Sequence, residues 1–441
     1  MKPYPHYKAS GVPWLGDVPA HWVKQRMAYA FAIGSGTTPP TGEQHWYEGD
    51  IPWVQTGELR EGVIVGTEKC VSTQAVQAFS ALRLHKEGDA VVAMYGATIG
   101  RVGLLGVDAA VNQACCVLSP KGGVLSRFVF WWFQSMRDVL VRMASGGGQP
   151  NINQEKIAQL WFFAPPLGEQ EAIREHLDAE TARVDALIAE KERLMETLRE
   201  LRQAVIVELS TGLHFPVGAT RNPSSCIYGF TPAGWTRVRL GKMVRIRNGS
   251  TPLKENADYW VGGDFPWLNS SVVNGDTVEG ASAFVTRTAL RQCHLPIAAP
   301  GAVLVALTGQ GKTRGMAALL KIEATISQHL ACITCDPERL NSEYLFWLLT
   351  GQYPALRVVS DGQGGTKGAL TCEELGRFEI LLPPLAVQAE IAKQLREQTQ
   401  RIDELQEHAK AEITLLQELR AATITEAVLG RVQVAGSAVA A

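Results

Sequence analysis

Pro165-Pro166-Leu167-Gly168-Glu169-Gln170-Glu171-Ala172-Ile173 returns as Pro383-Pro384-Leu385-Ala386-Val387-Gln388-Ala389-Glu390-Ile391. After each copy the chain runs without glycine or proline until Gly212 in the first and Gly430 in the second. Paired prolines bar a helix upstream and suit its first turn, while the closing glycine takes a left-handed C-cap. The spacing predicts one helix of about 40 residues in each copy, or about 60 Å at 1.5 Å per residue.

The apolar period says what these helices pack against. Leu177, Val184, Leu198 and Val205 share one seven-residue register, broken by Lys191, and Leu187, Leu194 and Leu201 lie three residues further on. The second copy places Leu395, Ile402 and Leu416 in one row, with Leu405 and Leu419 in the other. Such a seam is narrow enough for one partner helix. Two matched helices in one chain are natural partners, so an intramolecular, antiparallel coiled coil is expected.

The sequence upstream of each helix also repeats. Val18-Pro19-Ala20-His21-Trp22 matches Thr231-Pro232-Ala233-Gly234-Trp235, and Gly36-Thr37-Thr38-Pro39 matches Gly249-Ser250-Thr251-Pro252. Gly49-Asp50-Ile51-Pro52-Trp53-Val54 matches Gly263-Asp264-Phe265-Pro266-Trp267-Leu268, and Phe130-Trp131-Trp132-Phe133 pairs with Phe346-Trp347-Leu348-Leu349. Short β-branched and aromatic runs between Gly, Pro and Asn predict mostly-β lobes. The fold class is therefore α+β: lobe, long helix, lobe, long helix, with approximate two-fold symmetry. The expected boundaries are a lobe over 1–164, a helix over 165–212, a linker over 213–227, a second lobe over 228–382, a helix over 383–430 and a fraying tail over 431–441.

At 441 residues, 46% hydrophobic and 20% charged, the composition is that of a soluble protein. No apolar run is long enough for a membrane span and no signal-peptide pattern follows Met1, so a cytoplasmic location is expected. Eight scattered cysteines fit buried, reduced thiols rather than a disulfide framework. The net charge of −2 hides an uneven distribution, because the helices hold 11 acidic against 6 basic residues and 8 against 5. The rest of the chain is therefore basic, and Arg237, Arg239, Lys242, Arg245 and Arg247 form a run without an acid. Basic lobes on acidic helices are compatible with binding phosphate.

A lobe that starts on Pro-x-x-Trp, carries a Gly-Thr/Ser-Thr-Pro loop and closes with Pro-Pro-Leu-x-x-Gln-x-x-Ile into a long helix, all twice, resembles the specificity subunit of type I restriction–modification systems. The resemblance spans about Pro19 to Gly430. It implies two target-recognition domains, each reading one half of a split double-stranded DNA site, with the helices as a ruler between them. It also implies docking of two adenine-methylating modification subunits and a translocating restriction subunit. S-adenosylmethionine, ATP and magnesium would belong to those partners, leaving this chain without catalysis, cofactor, metal or membrane contact.

The candidate DNA-contacting residues lie on loops. In the first lobe they are Thr37, Thr38, Gln55, Tyr95, Arg101, Gln149 and Asn151. In the second they are Ser250, Thr251, Asn269, Thr308, Gln310, Lys312, Arg314, Gln363, Thr366 and Lys367. Hydroxyls and cations suit phosphate, and the amides of Gln and Asn offer the paired donor and acceptor that adenine presents. Trp53 and Trp267 read as packing.

Two other function classes remain open on the residues alone. One is a coiled-coil scaffold with protein-binding lobes. The other is a nucleotide-binding enzyme, because Ala306-Leu307-Thr308-Gly309-Gln310-Gly311-Lys312-Thr313 satisfies a relaxed phosphate-loop pattern after a β run. Against it, the following Arg314-Gly315-Met316 does not open a helix, and the first copy lacks Gly-Lys-Thr. Cys332 and Cys335, with His329, fall short of the four ligands of a closed zinc site.

Overall fold

A computed structural model describes residues 2–144, 151–213, 231–309, 311–361 and 368–434. The long helices run Leu167–Thr211 and Leu385–Val428. Each starts where the paired prolines leave off, the Pro166 carbonyl accepting from Gln170 N at 3.0 Å and the Pro384 carbonyl from Gln388 N at 3.0 Å. Each ends on its glycine, with φ of +71° at Gly212 and +69° at Gly430. Leu213 N then reaches back to Glu208 O at 3.0 Å and Arg431 N to Glu426 O at 2.9 Å, which closes the helix end.

The chain forms two compact units, one of Met1–Glu192 with Ala411–Ala441 and one of Arg193–Lys410. The division crosses both long helices, so each unit holds one lobe and a part of each helix. Within the first unit Asp185 bonds Arg420 and Lys191 pairs with Glu412. One partner number rises as the other falls, so the helices run antiparallel. In the second unit Arg202 bonds Asp403.

Of the expected seam, Leu177, Val184, Leu198, Leu395 and Ile402 are all below 8% exposed, while Val205 and Leu416 of the same row and Leu187 of the other are half-buried. The other row differs from expectation. Leu194, Leu201, Leu405 and Leu419 are 42–53% exposed. Leu177 and Leu395 are buried in the cores of their units, and a paired helix covers only a narrow stripe of what remains.

Each lobe is built on a five-stranded sheet. In the first the order is Phe31–Ser35, Cys115–Pro120, Ala90–Ala93, Val102–Leu105, Val63–Ile64, antiparallel except for the last pair. The second repeats it with Val244–Asn248, Leu330–Cys335, Val303–Ala306, Ala317–Leu320 and Thr277–Val278, again parallel only at the last pair. The central strands are buried on both faces. Ala90 and Val92 face one core while Val91 and Ala93 face another, the strand alternation at work. The aromatic runs lie on the helices Ser126–Ser135 and Ser342–Gly351, inside the larger core of each unit.

The doubled motifs are explained by what they touch. Val23–Arg26 pairs with Trp161–Ala164, and Thr236–Arg239 with Glu379–Leu382, so each lobe's early strand pairs with the one that feeds its helix. Gln170 is fully buried; its Oε1 accepts from Leu125 N at 2.8 Å and its Nε2 donates to Gly123 O and Pro165 O. Gln388 does the same with Asn341 N, Arg339 O and Pro383 O. A Cβ on Gly430 would stand 2.4 Å from Pro19 Cδ, and one on Gly212 would stand 2.8 Å from Pro232 Cγ. The Pro-x-x-Trp turn of each copy is therefore the seat for the helix end of the other copy.

The tail does not fray from Arg431. Tyr7 Oη donates to Arg431 O at 3.0 Å, Lys2 and Gln433 form a backbone bridge, and Val434 is buried. Backbone pairing and one buried side chain hold these residues; 435–441 lie outside the described residues. Among the described residues no helix is long and apolar enough to cross a membrane.

Candidate nucleic-acid interface

The Gly-Thr/Ser-Thr-Pro loops are built identically in the two lobes. A Cβ at Gly36 would fall 1.6 Å from Val111 O, and one at Gly249 would fall 1.6 Å from Ile326 O, so only glycine lets the loop lie on the neighbouring strand. Trp53 Nε1 donates to Thr37 O at 3.3 Å, and Trp267 Nε1 to Ser250 O at 3.1 Å. Both tryptophans are buried, as a packing role requires. The Thr38 hydroxyl donates to Gln113 Oε1, and the Thr251 hydroxyl to Gln328 Oε1.

Gln113, Gln328 and His329 are all exposed; in the sequence His329 stands out only as a possible metal ligand, and neither glutamine stands out at all. In the second lobe His329 Nδ1 lies 2.8 Å from the Thr308 hydroxyl and its Nε2 lies 3.4 Å from Gln328 Nε2. The structure thus joins Thr251, Gln328, His329 and Thr308 in one surface network. In the first lobe Ala114 follows Gln113, and Tyr95, 44% exposed, follows the strand that matches the one before Thr308. The signal that would have found the glutamines is a repeat: Val111-Asn112-Gln113 against Ile326-Ser327-Gln328.

Other candidates fall elsewhere. Tyr95 and Asn151 meet through a backbone bridge. Gln55 and Asn269 begin short 3-10 helices: Gln55 N donates to Glu58 Oε2 at 2.7 Å, and Asn269 Oδ1 accepts from Ser271 N at 2.9 Å. Asn269 is thereby engaged as a cap. Arg101 is half-buried just before the strand Val102–Leu105. Lys312 is exposed and lines a cleft of about 730 Å³ with Arg202, Asp276 and Tyr353. Arg314 corrects the expectation of a surface cation, being only 5% exposed. Gln149, Gln310, Gln363, Thr366 and Lys367 lie outside the described residues.

The phosphate-loop pattern does not have the required geometry. After Lys312 and Thr313 the chain turns at Gly315, φ +86°, and enters the strand Ala317–Leu320 instead of a helix. Among the described residues no helix N-terminus is presented where a triphosphate needs it. The loop is held by Tyr353 Oη donating to Lys312 O at 2.7 Å and by Arg357 Nη1 donating to Gly311 O at 2.6 Å. Cys332 and Cys335 sit on the strand Leu330–Cys335, and burial pushes the Cys335 thiol up to about 11, away from the thiolate that metal binding uses.

The basic run is spread over the strands Thr236–Arg239 and Val244–Asn248 and the 3-10 turn Leu240–Lys242 between them. Arg239, Lys242, Arg245 and Arg247 are exposed, the last two on the edge strand Val244–Asn248 at positions that share a face. In the first lobe Lys24 and Arg26 lie over the Trp161 ring at 5.0 and 4.8 Å. Bases on the strands, and exposed amides with half-buried hydroxyl partners at the loop tips, are groups that can bond phosphates and base edges respectively.

Comparison with known proteins finds similar proteins over most of the chain. The family described as type I restriction modification DNA specificity domain matches residues 19–196 and again 232–415. The specificity subunit of the type I restriction enzyme MjaIX from Methanocaldococcus jannaschii is 22% identical over 431 residues, covering 95% of each protein. That of EcoKI from Escherichia coli is 26% identical over 206 residues, 43% of each. Among solved structures, a chain from work on assembly and conformational transition of the type I R-M system superposes with a TM-score of 0.70 at 20% identity, over 94% of this chain and 99% of that one. The HsdS subunit from Thermoanaerobacter tengcongensis superposes with a TM-score of 0.56 at 21% identity, over 94% and 98%.

Proposed function

The chain belongs to the type I restriction–modification DNA specificity family, and from that premise we propose that it recognises a bipartite, asymmetric duplex site and directs adenine methylation by partner subunits. The observation that carries this reading is the doubled loop. Thr38 with Gln113 and Thr251 with Gln328 stand on the same frame, yet their neighbours differ, Ala114 and Tyr95 against His329 and Thr308. One frame with two sets of side chains suits two half-sites of different sequence.

The chain itself contributes no catalytic step. Two modification subunits supply methyl transfer from S-adenosylmethionine, and a restriction subunit supplies ATP- and magnesium-dependent translocation, all in the cytoplasm. The half-exposed leucines 194, 201 and 405 give the second unit an apolar stripe on its helices. That stripe is a better docking surface for a modification subunit than the acidic faces, because apolar area is what a stable interface buries. The long helices set the number of unread base pairs between the half-sites.

A map of methylated adenine in cells that co-express the chain with its modification subunit tests this directly. A new two-part motif, absent without the chain, is the expected result. Deleting four residues from both long helices is expected to change the spacer and neither half-site. Binding by the complex should weaken steeply with salt, since phosphate contacts release counterions. If the purified complex forms but yields neither a motif nor salt-sensitive DNA binding, the lobes bind protein and the scaffold reading replaces this one.

A further inference from the structure

Gln113 and Gln328 stand on turns that are fixed from several sides. In the first lobe Asn112 N donates to Val54 O at 3.0 Å, and Asn112 Oδ1 accepts from Ala114 N at 3.1 Å. In the second, Ser327 N donates to Leu268 O at 2.8 Å, and Ser327 Oγ accepts from His329 N at 3.3 Å. The glutamine side chain at the tip is exposed in both lobes, yet its orientation is set, because a threonine hydroxyl donates to its Oε1. The amide group is planar, so a bond to its oxygen narrows the directions its NH2 group can take.

We propose that Gln113 and Gln328 each read one base pair in their own half-site, with Thr38 and Thr251 as the positioning residues. The inference rests on the DNA-recognition reading above and names two residues of that interface. A side-chain oxygen that accepts one hydroxyl keeps a second lone pair, and the NH2 group keeps its donors. Together they match the N6 donor and N7 acceptor that adenine shows in the major groove. Prior orientation reduces the rotamer entropy that a free glutamine would lose on binding.

The lobes differ in what flanks the amide. His329 lies 3.4 Å from Gln328 Nε2 and is itself held by Thr308, whereas Gln113 is followed by Ala114. The second glutamine therefore shares its donor edge with an imidazole and the first does not. Equivalent positions thus read their base pairs with different donor sets, as an asymmetric site requires.

The test uses the purified complex of the chain with its modification subunit and duplexes in which each base pair of the methylated motif is replaced in turn. Gln113→Ala is expected to flatten discrimination at one base pair of one half-site by about tenfold, within the usual worth of a base contact, and to leave the other half-site unchanged. Gln328→Ala should do the same in the opposite half. Thr38→Val should flatten the same base pair as Gln113→Ala, and Gln113→Glu should move the preference there toward cytosine, whose N4 amino group donates to a carboxylate. Equal loss of affinity on every duplex, or no change on any, overturns the proposal and makes the pair a structural tie. A wild-type complex that prefers no base in either half overturns the recognition reading itself, before any variant is made.

Discussion

Arg202 of the first long helix donates from its Nε to Asp403 of the second at 2.8 Å. The same bond recurs 218 residues away in both partners, between Arg420 and Asp185, also at 2.8 Å. Helix pairing in the two units is thus fastened by equivalent residues of the duplicated sequence. The copies have diverged around that bond: Arg202 also holds Asp276 of its lobe, while Arg420 reaches Gln134 at 3.4 Å.

Arg202 is the more consequential of the two arginines. Its side chain is only 20% exposed and it neutralises two carboxylates that are 39% and 47% exposed. Arg202→Met leaves those carboxylates facing each other, partly solvated, and is expected to cost about 1–2 kcal/mol, between exposed and buried pairs. Urea unfolding of the second unit checks the figure, and adding Asp403→Leu should recover part of the loss.

Gln170→Ala and Gln388→Ala are each expected to destabilise by about 2–4 kcal/mol. Each removes three bonds made by a buried side chain, leaving one N–H and two carbonyls, some of them reachable by water, without that partner. Gln170→Glu should be worse than Gln170→Ala, because a carboxylate cannot donate to Gly123 O or Pro165 O and would be buried with them. Thermal unfolding of the three variants ranks them.

Gly430→Ala should be costlier than Gly212→Ala. Both glycines hold a positive φ, worth about 1–2 kcal/mol against any L side chain. At Gly430 the new methyl also meets the rigid Pro19 ring at 2.4 Å, against 2.8 Å to Pro232 at Gly212. Differential scanning calorimetry should show the larger drop in melting temperature for the Gly430 variant.

The paired thiols Cys115 and Cys116 give the protein an alkaline weakness. Burial pushes Cys116 up to about 12 and Cys115 higher still, against 9.0 for a free thiol. Above pH 9 the unfolded chain gives up protons that the folded chain keeps, so stability falls as pH rises from there toward 12. Each buried thiol contributes a slope of up to about 1.4 kcal/mol per pH unit. Urea midpoints at pH 8, 9 and 10 should decline less steeply in Cys116→Ala than in the unchanged protein.

Much of the fold was legible in the sequence because its signals are local. Paired prolines and a closing glycine mark a helix within one turn of its ends, and both long helices begin and stop where those residues stand. The seven-residue period, the turn glycines and the doubled order of motifs likewise depend only on near neighbours, and they were sufficient for two mostly-β lobes with two paired helices. The Gly-Thr/Ser-Thr-Pro loops at Thr38 and Thr251 were legible as a doubled motif for the same reason.

What only the tertiary structure decided are contacts between residues far apart in the chain. Thr38 meets Gln113 across 75 residues and Thr251 meets Gln328 across 77, so no window of sequence reports the pair. Arg314 has the charge of a surface residue, yet the chain around Gly315 turns it inward. Leu194 and Leu405 keep the heptad period and remain half exposed, because periodicity shows that a face is apolar but not whether anything covers it. Likewise, each closing glycine caps its own helix through local backbone geometry, but the ring packed against it, Trp22 on Gly430 and Trp235 on Gly212, comes from the other copy and is brought there only by folding.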